Sequence, residues 1–136
     1  MRPLLLAITA AMAAAPMALA QVPDPIDCNR AATTVELNYC ADREYQNADA
    51  ALNDAYRQVL EHVKSSQGEP PYDAESWESE LRAAQRAWIA FRDADCKGLT
   101  PMEWGGGSGT TLAVLTCMIE ATRARTRSLQ ERYLNR

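Results

Sequence analysis

The sequence is short of the residues that build catalytic and metal centres. Histidine occurs once, as His62. No cysteine or serine stands in a matched pattern with it, so no nucleophile–base pair or triad can be read from the chain. No two cysteines have CxxC spacing, which argues against zinc and thioredoxin-like redox chemistry. A CxxCH haem signature is absent as well. Asp24, Asp42, Asp49 and Asp54 lack the spacing of a calcium loop. The glycine cluster Gly105-Gly106-Gly107-Ser108-Gly109 lacks the Lys-Ser/Thr ending of a phosphate loop. Glu78 and Glu80 are two apart, so on a helix they point to different sides and make no facing pair for glycoside hydrolysis. These absences point to a protein that binds without cofactor or metal, and not to an enzyme.

Two further shortages bound the fold. No segment alternates with period two for long, so no sheet is expected. The long apolar run, 4–15, is too short to cross roughly 30 Å of hydrocarbon. It follows Met1-Arg2, is broken by Pro16, and ends in Ala18-Leu19-Ala20. That is the layout of a secretory signal, with cleavage before Gln21. No cysteine stands at the cleavage point, so no stable membrane anchor is expected. Residues 1–20 are therefore read as a cleaved signal. Residues 21–32, with Pro23 and Pro25, are read as an irregular arm, and 33–136 as one helical domain. The 136 residues less the first 20 leave 116, a single small domain that gains from covalent staples. The 14 basic residues less Arg2 leave 13 against 18 acidic, a net charge of −5. That balance argues against nucleic acid or an anionic membrane as partner.

What the mature chain does have is four cysteines, Cys28, Cys40, Cys96 and Cys117. An even count behind an export signal predicts two disulfides in an oxidising compartment. Cys28–Cys40 would pin the arm to the start of the first helix. Cys96–Cys117 would close the segment that carries Trp104. Those pairs are favoured, although crossed pairing stays open because Cys40 and Cys117 can both face a core.

Thr33-x-x-Glu36 is a capping box. Apolar residues then recur at Leu37, Ala41, Tyr45, Ala48, Leu52, Tyr56, Val59 and Val63. Steps of three and four make one helical stripe. A first helix over 34–65 is predicted, about 45–50 Å long. A helix of that length needs partners along its stripe. Gly68, Pro70 and Pro71 end it. Asp73 or Ser76 caps a second helix whose stripe is Trp77, Leu81, Ala84, Trp88 and Phe91, with Ile89 widening the apolar face. It should end near Cys96, with Gly98 just beyond. Trp88 and Phe91 read as core anchors. Arg86 and Arg92 fall on its flanks, where they can pair with acidic residues of the first helix such as Asp49. The segment 99–109 reads as a loop with little order. The third helix opens at Thr110 or Thr111, with a seam at Leu112, Leu115, Ile119, Thr122, Thr126, Leu129 and Tyr133. The two threonines weaken that seam, which favours packing within one chain and a monomer. Arg123, Arg125, Arg127 and Arg132 spread around this helix as a solvated face. The expected fold is all-α, a three-helix antiparallel bundle with one long N-terminal helix, stapled by two disulfides.

Residues 84–96, AQRAWIAFRDADC, are the most distinctive stretch. They resemble the signature of the lysozyme inhibitor LprI-like family of secreted domains. Cys28 with Thr34, Glu36 and Cys40 resembles its opening motif. Ala48-Asp49 with Leu52-Asn53 and Tyr56 resembles its first-helix motif. Gly106-Gly107-Ser108, Cys117, Thr122-Arg123 and Leu129 resemble its ending. The resemblance implies a secreted, helical, disulfide-bonded domain and, in some members, inhibition of lysozyme. The chain departs from the family's lipoprotein member in lacking a lipid-bearing cysteine, which implies a soluble periplasmic or secreted form.

The expected function is that of an exported cell-envelope binding protein that inhibits lysozyme-type muramidases by occlusion. An acidic domain would be steered to a basic enzyme by charge. Candidate contacts are Trp104, an aromatic of the kind found at binding hot spots, and the acidic group Glu69, Asp73, Glu75, Glu78 and Glu80 around the first turn. The alternative is a non-inhibitory structural or adaptor module binding an endogenous protein. A broad apolar groove along the first and third helices would favour the alternative. A polar rim around a projecting Trp104 would favour the inhibitor.

Overall fold

The computed structural model describes residues 26–135. The expected signal segment and the first part of the arm, 21–25, lie outside them. Among the described residues the chain is all-helical, with no strand.

Helix α1 spans Thr34–Lys64. Thr33 Oγ1 accepts from the Glu36 N–H, and Glu36 Oε2 accepts from the N–H groups of Thr33 and Ala32, which completes the capping box. Those backbone donors hold the Glu36 carboxyl below its ordinary value. The apolar stripe faces inward, burying Ala41, Ala48, Leu52, Val59 and Val63, with Ala55 and Leu60 beside it. Ser65 and Ser66 hydroxyls donate to carbonyls of the last turn. In the turn that follows, a Cβ on Gly68 would stand 2.4 Å from the Tyr72 carbonyl oxygen, so only glycine fits there.

Helix α2 spans Ala74–Asp93 and is capped by Asp73, whose side chain accepts from the Ser76 N–H at 2.9 Å. It runs antiparallel to α1. Trp77 at its start lies edge-on to His62 near the end of α1, while Arg92 at its end reaches Asp49. Helix α4, Thr110–Leu129, returns parallel to α1, pairing Arg123 with Glu44 at 2.8 Å. A wide-turned segment, Gln130–Leu134, extends α4. The core joins Leu52, Val59, Leu60 and Val63 of α1 to Leu81 of α2 and Leu129 of α4. Tyr56, Trp88, Tyr133 and Leu134 pack against it. The architecture is the expected bundle of three helices.

The disulfides are Cys28–Cys40 and Cys96–Cys117, with Cα atoms 5.6 Å and 5.5 Å apart. The favoured pairing holds. Loops of this size each stabilise the fold by on the order of 3 kcal/mol.

Two features differ from expectation. Helical structure does not stop at Cys96. A wide π turn, Ala94–Leu99, follows α2 and leads into α3, Thr100–Glu103. Gly98 keeps a negative φ, and the left-handed glycines are Gly105 and Gly106, with φ 61° and 70°. The Thr100 N–H reaches back five residues to the Asp95 carbonyl. Pro101 then falls in the first turn of α3, where its missing N–H costs little. Residues 99–103 are thus helical, and the expected loop is confined to 104–109, which opens on the left-handed glycines after Trp104.

The inward face of α2 also differs. Phe91 is 67 % exposed and Ala84 is exposed, whereas Gln85 and Arg92 are buried. The buried row is Leu81, Gln85, Arg92 and Cys96, with Trp88 partly covered. Phe91 is not a core anchor. The Cys96–Cys117 bond and the polar partners of Arg92 fix the rotation of α2, and they outweigh one phenyl ring.

Candidate partner-docking cleft

The end of α3 and the start of α4 form an open cleft of about 660 Å³. Trp104, 56 % exposed, ends α3 and forms one wall. Its indole closes against Gly109, where a Cβ would come within 2.9 Å of Cζ3. Glycine at 109 therefore sets how the ring sits. Leu112, Ala113 and Ala121 supply apolar surface, and Thr100 and Thr116 add hydroxyls. Asp95, Glu103 and Glu120 bring three carboxylates, and no basic residue lines the cleft.

The floor is covalently fixed. Cys117 lines the cleft and Cys96 beneath it is fully buried. A carboxylate oxygen of Asp95 and the two sulfurs all lie within 4.8 Å of one another. The sulfurs are bonded to each other, so this group offers no thiolate to a metal.

One helical turn before Cys96 on the same run of helix stands Arg92, 6 % exposed. Its Nε and one terminal nitrogen donate to Asp93 Oδ1 at 3.0 and 2.9 Å. The other terminal nitrogen donates to Thr122 Oγ1 at 3.3 Å and lies 3.7 Å from Asp49 Oδ1. The guanidinium also sits over Trp88, 5.0 Å from the ring centroid. One residue thereby joins α2, α1 and α4. Partial burial works against ionisation of Asp93. Hydrogen bonds from Lys97 and Arg92 outweigh it and hold the carboxyl below its ordinary value. The pairing of Arg92 with Asp49 was legible in sequence, but its burial and its bond to Thr122 were not. A threonine in the middle of the third helix's apolar seam was the available signal, because a fully buried hydroxyl needs a partner.

The acidic group around the first turn is not brought together with Trp104. It lies at the other pole of the bundle, roughly 40 Å away along α1 at the helical rise. Asp73 is engaged as the α2 cap, and Ser76 holds its carboxyl below the ordinary value. Glu78 pairs with Arg82 at 2.6 Å. Glu69 and Glu75 are exposed, and Glu80 lines an aromatic groove with Tyr72 and Trp77.

Comparison with known proteins places these features in a family. Residues 28–129 match the model of lysozyme inhibitor LprI. An uncharacterized protein of Rhizobium meliloti is 41 % identical over 115 residues, covering 82 % of this chain and 81 % of that protein. The uncharacterized protein YecT of Escherichia coli is 33 % identical over 96 residues, 67 % of this chain and 59 % of its own length. Lipoprotein LprI of Mycobacterium tuberculosis is 33 % identical over 76 residues, 56 % of this chain but only 32 % of the lipoprotein. No solved structure matches the chain. The family match covers the first disulfide, the Arg92 network, the cleft and all but the last helical turns, and by it the chain belongs to the lysozyme inhibitor LprI family.

Proposed function

We propose that the chain is an exported binding protein of the cell envelope that inhibits lysozyme-type muramidases by occluding their substrate cleft. The observation that carries this reading is Trp104, half-exposed beside three carboxylates on a disulfide-braced helix end. In a family described as lysozyme inhibitors, that pole is the one best built to meet a basic enzyme. The mature chain begins at Gln21, acts as a monomer, and works by binding and not by catalysis. The signal layout of 1–20 and the two disulfides support an exported, periplasmic or secreted location. Among the described residues no helix is long and apolar enough to cross a membrane.

The adaptor reading has less support. The surface between α1 and α4 holds two hollows, of about 360 and 290 Å³, that share Arg123 and have Glu44, Glu120 and Arg127 among their other walls. A helical partner would want an apolar track without these charges.

The test is lysozyme activity on cell walls with the oxidised mature chain titrated in, at low and moderate salt. Saturable inhibition that weakens with salt is expected. No inhibition at large excess, with helicity confirmed by circular dichroism, would overturn the proposal.

A further inference from the structure

We propose that the cleft between α3 and α4 seats an arginine side chain presented by a protein partner, an inference that deepens the inhibitor reading and rests on it. Its three carboxylates come from three different elements. Asp95 lies on the wide turn, Glu103 on α3 and Glu120 on α4. They line a single concavity of about 660 Å³ with no basic residue among its walls. Some carboxylates elsewhere on the surface have a cation at hand, as Glu78 has Arg82 and Glu44 has Arg123, whereas Asp95, Glu103 and Glu120 make no ion pair among the described residues. Like charges gathered on one concave wall are relieved by a cation from outside.

The apolar part of the cleft selects among cations. A hydrated metal ion or a lysine ammonium gains little from an indole wall beside a leucine. A guanidinium is flat and weakly hydrated, stacks on Trp104 and offers forked N–H donors to a carboxylate. Its methylene stem would lie along Leu112. The Cys96–Cys117 bond ties the turn that carries Asp95 to α4, which carries Glu120, so the backbone of the cleft is set before the partner arrives.

The experiment uses the oxidised mature chain, ¹⁵N-labelled, titrated with acetyl-Gly-Arg-Gly-amide and with its lysine and citrulline counterparts. The arginine peptide should move the Trp104 indole N–H signal and the amides of 116–121. The lysine peptide should bind several-fold more weakly, and the uncharged citrulline peptide should leave the cleft unmoved. Glu103→Gln and Glu120→Gln, each folded by circular dichroism, should weaken arginine binding by about two- to fivefold per carboxylate. Equal shifts from citrulline, shifts centred on 69–80, or an unmoved cleft at the limit of peptide solubility would each overturn the proposal. Lysozyme inhibition is measured on the same samples. Inhibition with an indifferent cleft removes this inference and spares the inhibitor reading. Arginine binding in the cleft without inhibition removes the inhibitor reading and leaves the arginine site standing.

Discussion

Replacing Arg92 by methionine removes the guanidinium while keeping most of the apolar stem. The structure says what each partner then loses. Asp93 keeps Lys97 at 2.8 Å. Asp49, with a side chain 41 % exposed, is free to rehydrate. Thr122 is fully buried, and its hydroxyl oxygen loses the Arg92 donor. Charge-assisted hydrogen bonds contribute about 1.5–3 kcal/mol each when removed one-sidedly. Part of that is offset because a buried ion is replaced by apolar packing. The net expectation is a loss of about 2–3 kcal/mol, or roughly 8–12 °C in Tm for a domain of this size. The assay is thermal and urea denaturation followed by far-UV circular dichroism, with both disulfides intact. Arg92→Lys should fall between wild type and Arg92→Met, because an ammonium keeps the charge but not the fork. Adding Thr122→Val to Arg92→Met should recover about 1 kcal/mol by removing the stranded hydroxyl. A loss below about 0.5 kcal/mol for Arg92→Met would refute the claim that this residue holds α2 against α1 and α4.

Three further predictions follow from particular contacts. Gly109→Ala should push the Trp104 ring from its seat and weaken lysozyme inhibition while leaving Tm nearly unchanged, read by comparing inhibition constants with melting curves. Cys96→Ser with Cys117→Ser should cost on the order of 3 kcal/mol in urea denaturation and blunt inhibition by loosening the cleft floor. Glu36, Asp73 and Asp93 all have folded carboxyl values below the ordinary ones. Their stabilisation is fully present above the unfolded carboxylate range near pH ~4 and is lost as pH falls through the lower folded values. Tm should therefore hold from neutral pH to about 5 and drop below that range, with Glu36→Gln flattening the drop.

The long first helix was legible because its partners are apolar and its stripe is nearly perfect. Ala41, Ala48, Leu52, Val59 and Val63 are all buried where three- and four-residue steps place them. The capping box was equally plain, since Thr33 and Glu36 satisfy each other locally. The second helix was misread by about one position at two places. Apolar periodicity selects Ala84 and Phe91, whereas the bundle buries Gln85 and Arg92. Each has a distant partner: Gln85 accepts from Arg125, and Arg92 donates to Thr122. Polar burial satisfied across forty or thirty positions of sequence leaves no periodic trace. The continuation through Gly98 and Pro101 was hidden for a related reason. A single wide turn shifts the hydrogen-bond register and places the proline where its missing donor does no harm. Trp104 was legible as a candidate anchor, but its acidic neighbours were not. Asp95, Glu103 and Glu120 are scattered in sequence and come to line one cleft only because α3 folds back on α4.

Occlusion is the central claim, and it is tested by asking whether the mature chain and a chitooligosaccharide can occupy lysozyme together. Lysozyme is immobilised, its cleft is filled with the oligosaccharide, and binding of the oxidised chain is measured against the empty enzyme. Mutual exclusion is predicted, with the apparent affinity of the chain falling in proportion to cleft occupancy and binding weakened in Trp104→Ala. A ternary complex, or unchanged affinity on the filled enzyme, would contradict the account.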